Sequence, residues 1–139
     1  MFAAVLLFST AAVAEQFLVE AELWLDGERH DVPVMIVTAE EAASVSPLAD
    51  SSMLQWRLDV EVERAAEHMM APDNALWVHV GIHHKIDGEW EHLTDSILGV
   101  PEGETAILSV VDGDAEASPE TSAVYLRIKT SRLRQADNP

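Results

Sequence analysis

Histidines are the residues whose type and spacing most readily suggest chemistry in this sequence. Four of the six fall between residues 77 and 93, in the segment WVHVGIHHKIDGEWEHL. Asp87-Gly88 is a two-residue turn signal flanked by alternating residues, so the segment is predicted to be a β-hairpin in which His83 faces His92. Imidazoles placed opposite each other can bind zinc or copper.

A strong metal site needs a third ligand within range. His79 lies on the same predicted face, but about 13 Å from His83 at the rise of a β-strand, which is too far to share one ion. The alternative for this face is an exposed polar surface. A second candidate is the run that begins His68-Met69, because imidazole and thioether suit copper(I); methionines beside alanines are also common core residues. No resident cofactor is expected, and metal binding by His83 and His92, or by the His68 run, is an alternative.

Three residues of the hairpin are predicted to bind a partner: Trp77, Lys85 and Trp90. Trp77 and Lys85 belong to one face, and Trp90 faces Lys85 across the turn. Exposed tryptophans beside polar neighbours commonly anchor protein or glycan partners. The alternative is that a second sheet or a loop covers them.

Enzyme chemistry has little support in the sequence. The motifs GxSxG and HExxH, the Walker loop and the dinucleotide fingerprint are all missing. Acidic residues are so abundant that carboxylate pairs must occur by chance. We therefore predict no catalytic residue, and a small secreted hydrolase remains an alternative.

The composition limits the class of protein. The chain has 139 residues, 48% of them apolar, which is enough for one domain with its own core. The net charge of −17 repels phosphate backbones and anionic headgroups, so nucleic acid and membrane insertion of the mature chain are not expected. The sequence has no cysteine, so disulfides and thiolate metal sites are excluded.

Residues 1–14, MFAAVLLFSTAAVA, are predicted to be a signal peptide. They form an uncharged apolar segment that ends in Ala-x-Ala before Glu15 and is too short to cross a bilayer as a helix. The Lys or Arg expected near the start is missing, and the alternative is a buried N-terminal strand or helix. Export predicts a periplasmic or secreted protein that begins at or near Glu15.

The rest of the chain is predicted to form short strands separated by Gly, Pro and Asp. Residues 16–25, 32–38, 55–63 and 122–130 are among the predicted strands, and Pro33 places the second of these at an edge or a strand start. Residues 64–70 could form a short helix, and 131–139 a tail. About eight or nine strands predict an all-β fold, an antiparallel β-sandwich formed by residues 15–139.

A weak repeat divides the chain. LDGE at residues 25–28 matches IDGE at 86–89, and EAASV at 41–45 resembles ETAIL at 104–108. Two similar half-sandwiches packed face to face would explain the repeat. The alternative is the general likeness of β-meanders.

One segment resembles a known family. Residues 32–46, VPVMIVTAEEAASVS, resemble a segment of the bacterial secretin-type β-domain, although a glycine expected after the second strand is missing and the chain is too short for a secretin ring. The resemblance implies a small exported relative of that module with a structural or binding role. The residues that carry it are Pro33, Ile36, Thr38, Glu41, Ala42 and Val45.

Charge is unevenly distributed along the chain. Four of its eight bases lie close together near the end: Arg127, Lys129, Arg132 and Arg134. They could meet an acidic surface of an envelope protein or of a second copy. Alternatively they pair within the molecule with Glu20, Glu22, Glu61 or Glu63. Taken together, the sequence predicts an exported, non-catalytic binding or assembly module of the bacterial cell envelope.

Overall fold

The computed structural model describes residues 15–47, 55–65, 74–111, 113 and 116–133. All regular elements in these ranges are strands, which confirms the all-β prediction: β1 (Gln16–Leu25), β2 (Glu28–Asp31), β3 (Met35–Thr38), β4 (Ala43–Val45), β5 (Trp56–Arg64), β6 (Ala75–Ile86), β7 (Glu89–Pro101), β8 (Thr105–Val110) and β9 (Val124–Arg132). The predicted signal peptide, His68 and Met69 lie outside the described residues.

The strands form two antiparallel sheets. In the five-stranded sheet the order is β2-β1-β9-β8, with β3 also paired to β1. In the four-stranded sheet the order is β4-β5-β6-β7. The sheets pack face to face, because each strand directs alternate side chains inward.

The core is continuous between the sheets. Phe17 and Leu126 of the five-stranded sheet belong to the same buried cluster as Trp56, Leu58 and Val78 of the four-stranded sheet. These residues occupy every second position of their strands, so the alternation in the sequence directly sets which face is buried. Truncating a fully buried Leu such as Leu58 to Ala should cost about 2–5 kcal/mol of stability.

The topology contains two similar halves. The first half places β1 with β2 and β3 in the five-stranded sheet, then crosses to place β4 and β5 in the other sheet. The second half places β6 and β7 in the four-stranded sheet, then crosses to place β8 and β9 in the five-stranded one. Interchanging the halves therefore reproduces the strand order of both sheets, as a pseudo-two-fold axis requires.

Matching backbone hydrogen bonds support this relation. The amide of Glu40 donates to the carbonyl of Val62 (2.9 Å), and that of Gly103 donates to the carbonyl of Thr130 (2.8 Å). In each half, the bond joins the turn where the chain crosses between the sheets to the last strand of that half. The repeat in the sequence thus corresponds to two structural halves. They are not packed face to face as predicted, because each half has strands in both sheets and the halves are joined side by side by the β1–β9 and β5–β6 pairs.

The main correction concerns residues 32–38, which were predicted to form one strand. The structure has β2 ending at Asp31 and β3 beginning at Met35, since Pro33 lacks the N–H that a continuous ladder needs. At the equivalent place in the second half, Leu93 is an extra residue in a β-bulge, and β7 continues past it.

Two further boundaries differ from the prediction. Ser131 and Arg132 belong to β9 and not to a tail, because they pair with Leu18 and Phe17 of β1. Arg64 ends β5 and does not begin a helix; the rest of that predicted helix, apart from Ala65, lies outside the described residues.

The two hairpin turns provide a matched stability test. Gly27 and Gly88 both have φ near +83°, but a Cβ on Gly27 would lie 3.1 Å from the carbonyl oxygen of Glu120, whereas no described atom lies within 4 Å of one on Gly88. We expect Gly88→Ala to cost about 1 kcal/mol of unfolding free energy, from left-handed strain alone. Gly27→Ala should cost clearly more in chemical denaturation, and equal losses would contradict this packing difference.

Candidate functional site

The hairpin of β6 and β7 has the register that the sequence predicts. Lys85 faces Trp90, and His83 faces His92, on either side of the Asp87-Gly88 turn. Both turn residues have positive φ, at 51° and 83°, which is the conformation that tight two-residue hairpins require. The short turn therefore determines which side chains meet.

The outward side of the four-stranded sheet carries three of the four histidines of this hairpin. We call it the histidine face. It is formed by outward side chains of β5, β6 and β7, including Arg57, Asp59, Glu61, His79, His83, Lys85, Trp90, His92, Asp95 and Ile97. An open groove of about 530 Å³ runs across its middle.

Two histidine–carboxylate pairs lie side by side in the groove. His83 Nε2 is 3.0 Å from Asp59 Oδ2, and His92 Nε2 is 3.2 Å from Asp95 Oδ2. The ring centroids of the two histidines are 5.0 Å apart. Gly81 lies between the aspartates, and a Cβ there would stand 3.6 Å from His83 Nε2. This is an ordinary van der Waals distance, so the His83 ring packs closely over Gly81.

Asp59 connects three strands. Its Oδ1 accepts a hydrogen bond from Ser44 Oγ at 2.5 Å and another from Arg57 Nε at 3.1 Å, while Oδ2 faces His83. The carboxylate is thus already engaged on both oxygens. It therefore orients the His83 imidazole.

The groove does not form a ready metal centre. Among the described residues, no group of three or more His, Cys, Asp or Glu side chains has the geometry to hold a metal ion. His79 is engaged separately, with Nε2 3.2 Å from Glu63 Oε1. The structure brings together His83 and His92, the pair predicted from the sequence, and the predicted pair His68 and Met69 lies outside the described residues.

Trp90 lies at the hairpin end of the histidine face. The side chain is 41% exposed, with Arg57 Cζ 5.2 Å and Lys85 Nζ 5.8 Å from its ring centroid. Two cations over one indole hold the ring by cation–π attraction. The sequence predicts the pairing with Lys85 but not Arg57, because that contact depends on the register between β5 and β6.

Trp77 is not part of the same site. It lies eight residues from Lys85 along β6, about 26 Å at the rise of an extended strand. Its ring covers Gly99, where a Cβ would stand 2.9 Å from Trp77 Cζ3. The three predicted binding residues therefore divide into Lys85 with Trp90 at one end and Trp77 at the other.

The basic last strand is largely neutralised within the molecule. Arg127 Nη1 lies 3.7 Å from Glu22 Oε2, and Arg132 Nη2 lies 3.0 Å from Glu15 Oε2. Lys129 is directly opposite Glu20 on β1. Arg127 thus pairs with one of the predicted glutamates, whereas Arg132 pairs with Glu15, which was not predicted. Arg134 lies outside the described residues.

An aromatic cluster occupies the outward side of the five-stranded sheet. Trp24 meets Tyr125 edge to face at 5.5 Å, with the guanidinium carbons of Arg29 and Arg127 5.9 and 5.8 Å from the indole centroid. Tyr125 is buried, so this cluster fixes one strand against the next. It is a packing feature of the sheet.

An ionic cluster at the other end of the sandwich is also structural. Arg64 Nη2 donates to Glu15 Oε2 at 2.6 Å, and Arg132 Nη2 donates to the same oxygen at 3.0 Å. The hydrogen bonds from Arg64, and then those from Arg132, lower the pKa of Glu15 to about 2, against partial burial. Glu15 thereby ties the start of β1 to the ends of β5 and β9.

Comparison with known protein families, with curated proteins and with solved structures found no match for this chain. In the described ranges, no helix has the length and apolar character needed to cross a membrane.

The Glu15 cluster predicts a loss of stability in acid. Because its folded-state pKa of about 2 lies below the ordinary 4.5, the stabilisation is present above pH 4.5 and is lost as pH falls towards 2. Glu15→Gln should therefore show a shallower fall in unfolding free energy across this range than the parent chain. Arg64→Met should reduce the slope as well, and equal slopes for all three proteins would contradict the role of the cluster.

Proposed function

We propose that this protein is an exported, non-catalytic binding or assembly module of the bacterial cell envelope. We further propose that its partner contacts the hairpin end of the histidine face. The observation that supports this most directly is Trp90, a large exposed ring with Arg57 and Lys85 both close to its centroid.

Trp90 has the properties of an interface anchor. Tryptophan and arginine are enriched among residues that contribute most to binding, because a rigid ring offers a large contact area at low entropic cost. The cations restrain the ring before any partner arrives, which reduces the ordering required on binding. The adjoining groove offers imidazole and carboxylate groups for polar contacts.

Export rests on the sequence of residues 1–14, and a periplasmic or secreted location follows from it. The resemblance of residues 32–46 to a secretin-type β-domain is compatible with a structural or binding role. In the fold these residues form β3, the crossing turn and β4, on the side of the sandwich away from β7.

Site-specific photo-crosslinking tests the proposal. A photoreactive amino acid replacing Trp90 in the producing cell should yield a discrete cross-linked product, and Arg57→Ala should reduce its yield. The matched control is Ile36, which is 58% exposed on the outward side of the other sheet. A product of twice the chain mass would identify self-association. Absence of products at position 90, or equal products at both positions, would contradict the proposed surface.

A second candidate function is binding of zinc or copper in the periplasm. It is favoured by the His83 and His92 rings, which face each other with 5.0 Å between centroids. Both Nε2 atoms face aspartates, so an ion would be bound through the Nδ1 atoms, with the aspartates on the other nitrogen of each ring.

Metal analysis of protein purified without a histidine tag tests this candidate. Near-stoichiometric zinc or copper, lost in a His83→Ala/His92→Ala variant and retained in His79→Ala, would place the ion in the groove. Loss on replacing His68 and Met69 instead would place it at that run. Protein that stays metal-free after equilibration with either ion would exclude the candidate.

A further inference from the structure

The free edge of β7 offers a second, backbone-directed binding surface. β7 spans 13 residues, more than any other strand in the described ranges, and pairs only with β6. An edge strand presents unpaired N–H and C=O groups to solvent, which can template the addition of another strand.

The hydrogen bonds of β6 show which peptide groups of β7 point outward. The amide of Lys85 donates to Gln55, and the carbonyl of Ala75 accepts from Ala65, so odd-numbered residues of β6 direct their peptide groups at β5. Their partners on β7 must direct theirs away from the sheet. Beyond the bulge these partners are Asp95, Ile97 and Gly99.

The other edges of this molecule are interrupted or short. The pseudo-two-fold equivalent of β7 is broken by Pro33 into β2 and β3, of four residues each. β4 has three residues and β8 has six. Short strands and prolines are the usual protection of a sheet edge. On β7 the stretch 96–100, SILGV, has neither a charge nor a proline, and Ile97 is 58% exposed.

Charge determines what kind of strand fits this edge. Residues 89–110, which include β7 and β8, contain five acidic residues and no Lys or Arg. Asp95 lies beside the free stretch with its side chain 78% exposed. A second copy of this chain would bring the same acidic edge and a net charge of −17, whereas a basic segment would be attracted.

We propose that β7 binds an extended, basic segment of another protein as an added strand. Main-chain hydrogen bonds from Asp95, Ile97 and Gly99 would supply the pairing. Because neighbouring strands place opposed residues on one face, the segment should carry an apolar residue opposite Ile97 and a Lys or Arg two positions away, opposite Asp95. This inference rests on the proposed binding function and specifies the chemistry of the partner.

The test begins with selection from a display library of random dodecapeptides on the full chain. We expect enriched peptides in which an apolar residue and a Lys or Arg stand two positions apart. A synthetic selected peptide is then made in two versions, one with N-methyl groups at the odd-numbered amides and one with them at the even-numbered amides. One version should lose binding and the other should keep it, because only every second amide faces β7. This readout leaves the protein itself unaltered.

Substitutions on the protein provide a second readout. Ile97→Pro removes an outward N–H without removing a bond to β6 and should weaken peptide binding about tenfold or more, whereas Ile97→Thr, which keeps the N–H, should largely retain it. Asp95→Lys should weaken binding several-fold, with Asp31→Lys on the edge strand β2 as the matched control. Thermal unfolding of each variant reports whether the fold is kept.

Defined outcomes would overturn the proposal. They are the absence of any enriched peptide, enrichment of acidic peptides, unchanged binding of both methylated versions of the peptide, or equal effects of Asp95→Lys and Asp31→Lys on peptide binding. If the chain dimerises at high concentration and Ile97→Pro abolishes the dimer, the added strand comes from a second copy of this chain and not from a basic segment. Cross-linking at Trp90 is independent of these measurements, so failure of strand addition and failure of the binding function are distinguishable.

Discussion

The structure depends on the burial of two inner faces contributed by four central strands. β1 and β9 form the middle of one sheet and β5 and β6 the middle of the other, and each alternates apolar with polar residues. Because a strand reverses its side-chain direction at every residue, this alternation simultaneously assigns Leu58 and Val78 to the core and Asp59 and His79 to solvent. A register slip of one residue would bury charges and expose the core, so the packing also fixes the histidine face.

The two outward faces use this constraint differently. On the five-stranded sheet, Arg127 pairs with Glu22 on the neighbouring strand and lies near the Trp24 ring. The charged and aromatic side chains of this face therefore stabilise the pairing of the strands. On the four-stranded sheet, a groove runs past Gly81 and Trp90 remains accessible beside its two cations.

The sequence predicted contacts between residues close together in the chain and missed contacts between distant strands. The pairs on either side of Asp87-Gly88 were predictable because a two-residue turn fixes the register locally. The contact of Arg57 with Trp90 was not, since β5 and β6 are paired by packing and not by a tight turn. The Glu15–Arg132 contact spans 117 residues and becomes visible only once β1 is known to lie beside β9. Pro33 did signal an edge, but its interruption of the ladder between Asp31 and Met35 required the structure.

The neighbouring positions of β1 and β9 have a consequence for how the chain acquires its structure. One central strand of the five-stranded sheet comes from the beginning of the described chain and the other from its end. Contacts between such distant segments form late and slow the folding of β-proteins. Because β9 pairs with β1, that sheet cannot be completed until the segment that ends at Arg132 has left the ribosome.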